Sequence, residues 1–281
     1  MLAKLLVQNY KLIHGTLHLP GAGWLLRKVA PFSTGLQSFP FEVPGVGTAL
    51  LDFRDLGAFG LLNASLGEQG HNAQLFDCLE RLLGPGGVFW DVGANVGVVT
   101  SHLAHPRHKL ARLHAFEPNP GPRRTLESLF ADSKTVTVHP FGLGAADEEL
   151  MLNVKPGDGS LGSTVRTFND GLQLAIAIRR ADDLVKERKI DAPNVVKIDV
   201  EGAEPSVFEG MRDTIALSRP AIVFEHLFLT DVQIRSMTPT GYRVCFISDD
   251  GTFSLEYGSR RLGHDAIMLP DESPARAHFG V

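Results

Sequence analysis

Residues 86–100 read GGVFWDVGANVGVVT, an apolar run that stops at an aspartate and then turns through small and polar residues. Valine, phenylalanine and tryptophan in a short run after Gly84-Pro85-Gly86-Gly87 suit a buried strand. The valines after Gly97 open a helix. A strand that turns through glycines into a helix is the first unit of a doubly wound sheet, in which ligands gather beyond the carboxyl ends of the strands. Asp91–Gly97 occupies such an end.

Outward from this unit the chain alternates. Strands are expected at about 88–92, 111–116, 135–140, 194–199, 220–225, 241–247 and 264–269, and helices at about 96–105, 120–132, 181–189, 203–217 and 230–236. Strands separated by helices predict an α/β fold: a doubly wound, mostly parallel seven-stranded sheet covered on both faces. The segment YRVCFISDDGTFSLEY carries an Asp-Gly turn and reads as a hairpin at the sheet edge. Two pieces stand outside the alternation. One is an N-terminal extension, residues 1–66, with a helix and a hairpin around Pro44-Gly45-Val46-Gly47; residues 67–281 then form the main domain. The helix at 72–83 ends at the Gly-Pro-Gly-Gly stop. The other piece is an insertion after the third strand, with short strands flanking a glycine and serine loop at 157–164 that is expected to lie over a ligand as a mobile lid.

Composition narrows the partners. The 281 residues are 43% hydrophobic and 21% charged, enough for a sizeable core, and the net charge of −5 comes without a long basic run. A small-molecule partner is therefore expected and nucleic acid is not. Cys78 and Cys245 are far apart and lack metal-ligand spacing, which fits two inert buried thiols in a reducing, cytoplasmic setting. The opening MLAKLLVQNYKLIHG is too short and polar for a membrane span and has no cleavage-site pattern. It reads as a helix that docks on the body or on a second copy, giving a homo-oligomer.

The glycine spacing discriminates among nucleotide ligands. A dinucleotide site uses G-x-G-x-x-G to bring the backbone against a pyrophosphate; here Gly93 and Gly97 are spaced G-x-x-x-G and Asp91 precedes them. The acid disfavours an anion, and with it a nicotinamide dehydrogenase. Glu117, twenty residues after Gly97 at the next strand end, suits a bidentate contact to ribose hydroxyls. A nucleoside that carries an ammonium group and no pyrophosphate satisfies both conditions, and S-adenosylmethionine is such a ligand.

The runs Asp91-Val92-Gly93-Ala94-Asn95-Val96-Gly97 with Thr100, Phe116-Glu117-Pro118, and Val196-Lys197-Ile198-Asp199-Val200-Glu201-Gly202-Ala203-Glu204 together resemble the FkbM family of S-adenosylmethionine-dependent class I methyltransferases. The resemblance spans about 67–225. It implies O-methylation of a hydroxyl on a small molecule such as a natural product, sugar or glycan, with the acceptor chosen by the extension and the C-terminal residues. It further implies that Asp91, Gly93, Ala94, Asn95, Gly97 and Thr100 hold the methionine part, and that Glu117, Pro118 and Asn119 hold the adenosine. By the same resemblance Gly142 and Leu143 bracket the adenine, Asp147 neighbours it, Asp199 borders the sulfonium and Glu68 caps the amino group.

Methyl transfer to a hydroxyl requires alignment and loss of a proton. His226, after Glu225 at the fifth strand end, is the candidate base, and Asp199 or Glu201 the carboxylate that orients it. Packing within the loop is the bland alternative for this imidazole. Asp199, Glu201 and His226 also form a possible set for Mg²⁺, a reading not favoured over a metal-free site. Lys197 alternates with Asp199 in an apolar strand and is expected to pair with a carboxylate such as Glu201 or Glu204. His102, His105 and His108 show a spacing of three but no acidic partner in sequence, so a solvated face is expected. A methyltransferase-like scaffold that binds ligand or protein without turnover remains the alternative function.

Overall fold

The computed structural model describes residues 2–10, 22–65, 67, 72–155, 158–248, 250–255, 257 and 263–280. Glu68 lies outside the described residues. The N-terminal portion forms α1 (Leu2–Tyr10), α2 (Ala22–Val29), α3 (Thr34–Gln37), the hairpin β1 (Phe39–Val43) with β2 (Gly47–Leu51), α4 (Gly57–Ser65) and α5 (Asn72–Leu82). Alternation buries Phe39, Phe41 and Val43 on one face of the hairpin, and Gly45 supplies the positive φ of 73° in its turn. Helical spacing buries Leu75, Phe76, Cys78 and Leu79 along α5. These side chains share one core cluster with the first face of the main sheet, while Trp24 and Phe32 remain 65% and 91% exposed.

The remainder comprises β3 (Val88–Val92), α6 (Val98–Ala104), β4 (Arg112–Phe116), α7 (Pro120–Leu129), β5 (Val136–His139), β6 (Gly142–Leu143), β7 (Glu148–Lys155), β8 (Asp158–Ser163), β9 (Leu172–Arg179), α8 (Ala181–Lys186), β10 (Val195–Ile198), α9 (Glu204–Gly210), α10 (Arg212–Ser218), β11 (Ala221–Glu225), α11 (Asp231–Met237), β12 (Tyr242–Ile247), β13 (Phe253–Ser254), β14 (Asp265–Pro270) and α12 (Arg276–Phe279). The main sheet runs β13-β12-β14-β11-β10-β3-β4-β5. Parallel pairing joins β11, β10, β3, β4 and β5, and β14 is antiparallel to both β11 and β12. Strand order reverses between β3 and β10, which places the switch point, where doubly wound sheets bind ligands, at the ends of these two strands. A second core cluster fills the opposite face around Trp90, Phe116 and Phe224.

Three expectations are corrected. The sheet has an eighth strand, because the Asp-Gly hairpin lets Phe253–Ser254 pair with β12. The helix expected at 203–217 is two helices broken at Met211; Gly210 lies against the Gly144 carbonyl, where a Cβ would collide. The loop at 157–164 is in large part the strand β8, whose Asn153↔Ser163 and Val154↔Gly162 pairs attach it to β7 in a second sheet, β6-β9-β7-β8. These pairs place Gly162 and Ser163 beside the site. Cys78 and Cys245 are both buried and form no disulfide. Among the described residues no helix is long and apolar enough to cross a membrane.

Candidate active site

The turn after β3 is built around its own backbone. Gly93, Asn95 and Gly97 take φ of 84°, 54° and 90°, values that glycine adopts freely and asparagine tolerates. A Cβ on Gly93 would strike the Asp199 carbonyl, so glycine there lets the ends of β3 and β10 close on each other. The turn's amides reach across to β4. Gly93 and Ala94 donate to the Phe116 carbonyl, and the Asn95 amide donates to Glu117 Oε2 at 2.8 Å. The Asn119 amide donates to the other oxygen, Oε1, at 2.7 Å. Asn119 also caps α7 by accepting from the Gly121 amide at 3.0 Å. Burial pushes the Glu117 carboxyl up to about 7, against the pull of these two amides.

A cavity of about 850 Å³ opens at the switch point. Gly93, Ala94, Asn95, Glu117, Pro118, Asn119, Gly142 and Leu143 line one side, and Lys197, Asp199, Val200, Glu201 and Gly202 the other. Leu150, Leu152, Thr164, Ile176 and Ile178 of the insertion complete the wall. Asp91, Gly97 and Thr100 sit behind the lining. Thr100 Oγ1 donates to Asp91 Oδ2 at 2.6 Å, and Lys197 Nζ stands 3.9 Å from Oδ1. Burial raises the Asp91 carboxyl, opposed by Lys197 and by the Thr100 hydroxyl. Asp147 stands apart, accepting from the Arg180 amide at 2.7 Å at the start of α8.

Opposite the glycine turn is a carboxylate cluster. Parallel register aligns Lys197 with Asp91 on β3 and with Val223 on β11, so two residues further on Asp199 and Glu225 come level. One carboxylate oxygen from each of Asp199, Glu201 and Glu225 lies within 4.8 Å of the others. Lys197 donates to Asp199 Oδ2 at 2.9 Å. Burial works against its charge, but Asp199 and Asp91 hold the ammonium above its ordinary pKa. The expected pairing of Lys197 with Glu201 or Glu204 is corrected: β-strand alternation sends the lysine toward Asp91 and Asp199, and Glu204 instead accepts from the Val200 and Gly202 amides at 3.1 and 3.3 Å.

Glu201 holds a left-handed φ of 56°, the kind of backbone strain that persists where the surroundings impose it. Its surroundings come from the insertion. Ser163 Oγ donates to the Glu201 carbonyl at 2.9 Å, and Arg166 Nη1 donates to Glu201 Oε2 at 3.1 Å. The Arg166 guanidinium is also stacked 4.0 Å over the Phe228 ring. Burial and the neighbouring Asp199 push the Glu201 carboxyl up to about 7, with Arg166 opposing. Burial, then Asp199 and Glu201, drives the Glu225 carboxyl well above the ordinary range.

His226 departs from its expected place. It is 2% exposed, its ring meets Phe246 edge-on at 5.3 Å, and it is absent from the cavity lining. The chain turns immediately after β11, with the Leu229 amide bonded to the His226 carbonyl, and the imidazole packs onto β12. The set drawn as Asp199, Glu201 and His226 is therefore Asp199, Glu201 and Glu225. Glu225 was missed because its place beside Asp199 follows from the β10–β11 register. Arg166 and Ser163 carried no local signal, because they act across the fold from the insertion.

Seven strands of the doubly wound sheet, ordered β5-β4-β3-β10-β11-β14-β12 with β14 alone reversed among them, and a glycine turn at the switch point define a class I methyltransferase fold. The match to known sequences is more specific. Residues 91–244, more than half of the chain, match the methyltransferase FkbM domain, and the chain belongs to that family. Among curated relatives, the hexuronic acid methyltransferase AglP of Haloferax volcanii is 33% identical over 141 residues, covering 50% of this chain and 56% of the relative. The 31-O-demethyl-FK506 methyltransferase FkbM of Streptomyces tacrolimicus is 29% identical over 163 residues, covering 47% and 62%. The matches thus span little more than half the length of these relatives. Among solved structures, methyltransferase FkbM from Methylobacillus flagellatus KT aligns over 75% of this chain and 53% of its own, at 18% identity and a TM-score of 0.46.

Proposed function

We propose that this chain binds S-adenosylmethionine and O-methylates a hydroxyl group of a small molecule. The observation that carries the reading is one cavity lined by two unlike carboxylate stations: Glu117, clamped by backbone amides, and Asp199 with Glu201 across from it, backed by Glu225. Its volume of about 850 Å³ falls in the roughly 300–1,000 Å³ range of small-molecule sites. The residues suit the cofactor chemically. Glu117 retains lone pairs for ribose hydroxyls, Gly142 and Leu143 with Pro118 offer a flat apolar slot, and Asp91 supplies negative charge behind the glycine turn. When bound, S-adenosylmethionine supplies an electrophilic methyl group.

The protein's own work is at the acceptor. Glu201 takes the hydroxyl proton, since a carboxyl tuned to about 7 is a competent base near neutrality. Asp199, fixed by Lys197, orients the hydroxyl, and Arg166 holds Glu201 at the cavity. The insertion keeps bulk water out through Leu150, Leu152, Ile176 and Ile178. His226 supports the turn after β11. Asp199, Glu201 and Glu225 offer oxygens of the kind Mg²⁺ takes, but the Lys197 ammonium already supplies positive charge to Asp199, and this reading assigns no step to a metal.

The names of the relatives, which specify a hexuronic acid and 31-O-demethyl-FK506, support a hydroxylated small molecule as acceptor. We assign acceptor choice to the insertion and to residues 1–66, treated as an extension of the 67–281 domain. Exposed Trp24 and Phe32 make that extension the candidate contact for a second copy, in a cytoplasmic protein whose two thiols stay reduced. The test is to incubate the protein with S-adenosylmethionine and a panel of sugars, uronic acids and macrolides, and to measure S-adenosylhomocysteine. Product with at least one hydroxylated acceptor, lost in Asp91→Ala, is expected. Cofactor binding with no product across the panel would favour a non-catalytic binding module.

A further inference from the structure

Away from the cavity, three side chains that sequence spacing did not connect converge on one point. Glu80 projects from α5, His102 from the last turn of α6, and His108 from the short turn that follows it. Solvated histidines without an acidic partner were expected here. The acid comes instead from the neighbouring helix. His102 Nε2 lies 2.7 Å from Glu80 Oε1 and His108 Nε2 lies 3.8 Å from the same oxygen. One ligand atom from each residue falls within 4.8 Å of the other two. The two imidazoles are largely covered, with side-chain exposures of 12% and 13%. His102 is further fixed by stacking on Phe76, with centroids 4.0 Å apart and planes 5° from parallel.

We propose that Glu80, His102 and His108 form a binding site for a divalent transition ion of the Zn²⁺ type, separate from the methyltransferase cavity. Two imidazole nitrogens and one carboxylate oxygen are the donor set that Zn²⁺ takes, whereas Mg²⁺ and Ca²⁺ ask for oxygen alone. Zinc–ligand bonds of about 2.0–2.1 Å in tetrahedral array put neighbouring donors roughly 3.4 Å apart, between the 2.7 and 3.8 Å separations seen here. Small side-chain rotations suffice to reach that array, and water takes the fourth position.

Arg107 defines the metal-free state. Its Nε donates to His108 Nε2 at 2.9 Å, so that nitrogen carries a lone pair rather than a proton. Its Nη2 donates to Glu80 Oε1 at 3.0 Å and lies 3.4 Å from His102 Nε2. The guanidinium thus occupies the position of a cation between the same three groups. Binding of the ion breaks these Arg107 contacts and shifts the proton that His102 Nε2 directs at Glu80 Oε1 to Nδ1 of the same neutral ring, by exchange with solvent, while three metal–ligand bonds form. The ion would then tie α5 to the end of α6. The first turn of α6 carries Thr100, which bonds Asp91 behind the cavity, so the site braces a helix that supports the glycine turn.

The test is calorimetric titration of the tag-free full chain with ZnCl₂ in buffers of different ionisation enthalpy, alongside Co²⁺ absorption in the visible range. One ion per chain is expected, with little net proton release near neutral pH and a Co²⁺ spectrum of tetrahedral nitrogen and oxygen ligation. His102→Ala and His108→Gln, each checked for folding by circular dichroism, should weaken binding by roughly tenfold or more, in the range that even supporting groups of a metal site show. Arg107→Gln should bind Zn²⁺ as tightly as the parent or tighter. Binding that is absent from the parent, or equal in the parent and both folded histidine variants, overturns the proposal.

Discussion

Glu117, buried, and Glu201, half-buried, are two carboxyls raised to the same value, about 7, in opposite walls of one cavity, and they are held in different ways. Glu117 has each oxygen bonded to a backbone amide, from Asn95 and Asn119. Its geometry is set by the main chain of the β3 turn and the first turn of α7. Glu201 is held by side chains, those of Ser163 and Arg166, on a left-handed residue beside Asp199 and Glu225. A fixed acceptor suits recognition of an invariant ligand. A carboxylate whose nearest neighbours are other acids and a single arginine suits proton transfer, because its affinity for the proton depends on groups that substitution can change one at a time.

The largest effect that would break this contrast is on turnover. Glu201→Gln should lower kcat by about 10²–10⁴, the usual share of a general base, while S-adenosylmethionine binding measured by calorimetry stays close to the parent value. A kcat within a few-fold of the parent would remove Glu201 from the chemistry. Glu117→Ala should do the reverse. Hydrogen bonds to a charged group contribute about 1.5–3 kcal/mol each, so losing two ribose contacts should weaken cofactor binding by roughly 10²–10⁴ and abolish the thermal shift that the cofactor produces in the parent. An undiminished shift would show that the ribose is held elsewhere.

A smaller effect separates the two carboxylates by pH. Both must be ionised for these roles, one to accept ribose hydroxyls and one to accept a proton. Cofactor affinity should therefore fall as pH drops below about 7, following Glu117, and kcat should rise through about 7 toward a plateau, following Glu201. Arg166 lowers the Glu201 pKa. Its removal in Arg166→Gln should move the ascending limb of kcat to higher pH and leave the pH dependence of cofactor affinity in place. A common shift of both profiles would mean that Arg166 acts on the whole cavity rather than on Glu201.

The same contrast governs what the sequence disclosed. The Glu117 wall was legible because its parts are local: glycines at 93 and 97 permit one turn, and Glu117 ends the adjacent strand. Strand alternation was enough for the parallel core of the sheet and for Lys197 facing with Asp199. The acceptor wall is assembled from register and from the insertion. Glu225 enters only once Lys197 is known to pair with Val223, and Arg166 only once β8 is known to lie beside the turn at Glu201. Residues 158–163 form strand β8 although glycine and serine are poor strand formers, because pairing with β7 overrides that preference. Glu80 was missed beside His102 and His108 for the same reason: it arrives from another helix.

The smallest expected effect concerns His226, which sequence position alone made the obvious base. Its ring packs on Phe246 and its backbone amide bonds the His264 carbonyl, so the side chain supports the junction of β11, β12 and β14. His226→Ala should then act on stability rather than on chemistry. Replacing a buried ring in such a contact costs on the order of 1–3 kcal/mol, visible as a lower midpoint in urea with an unchanged slope. At a temperature where the variant stays folded, kcat and its pH profile should lie within a few-fold of the parent, because Glu201 and its neighbours are intact. A loss of about 10² in kcat with the ascending limb near pH 7 abolished would return the base to His226. It would also mean that the imidazole leaves Phe246 when an acceptor fills the cavity.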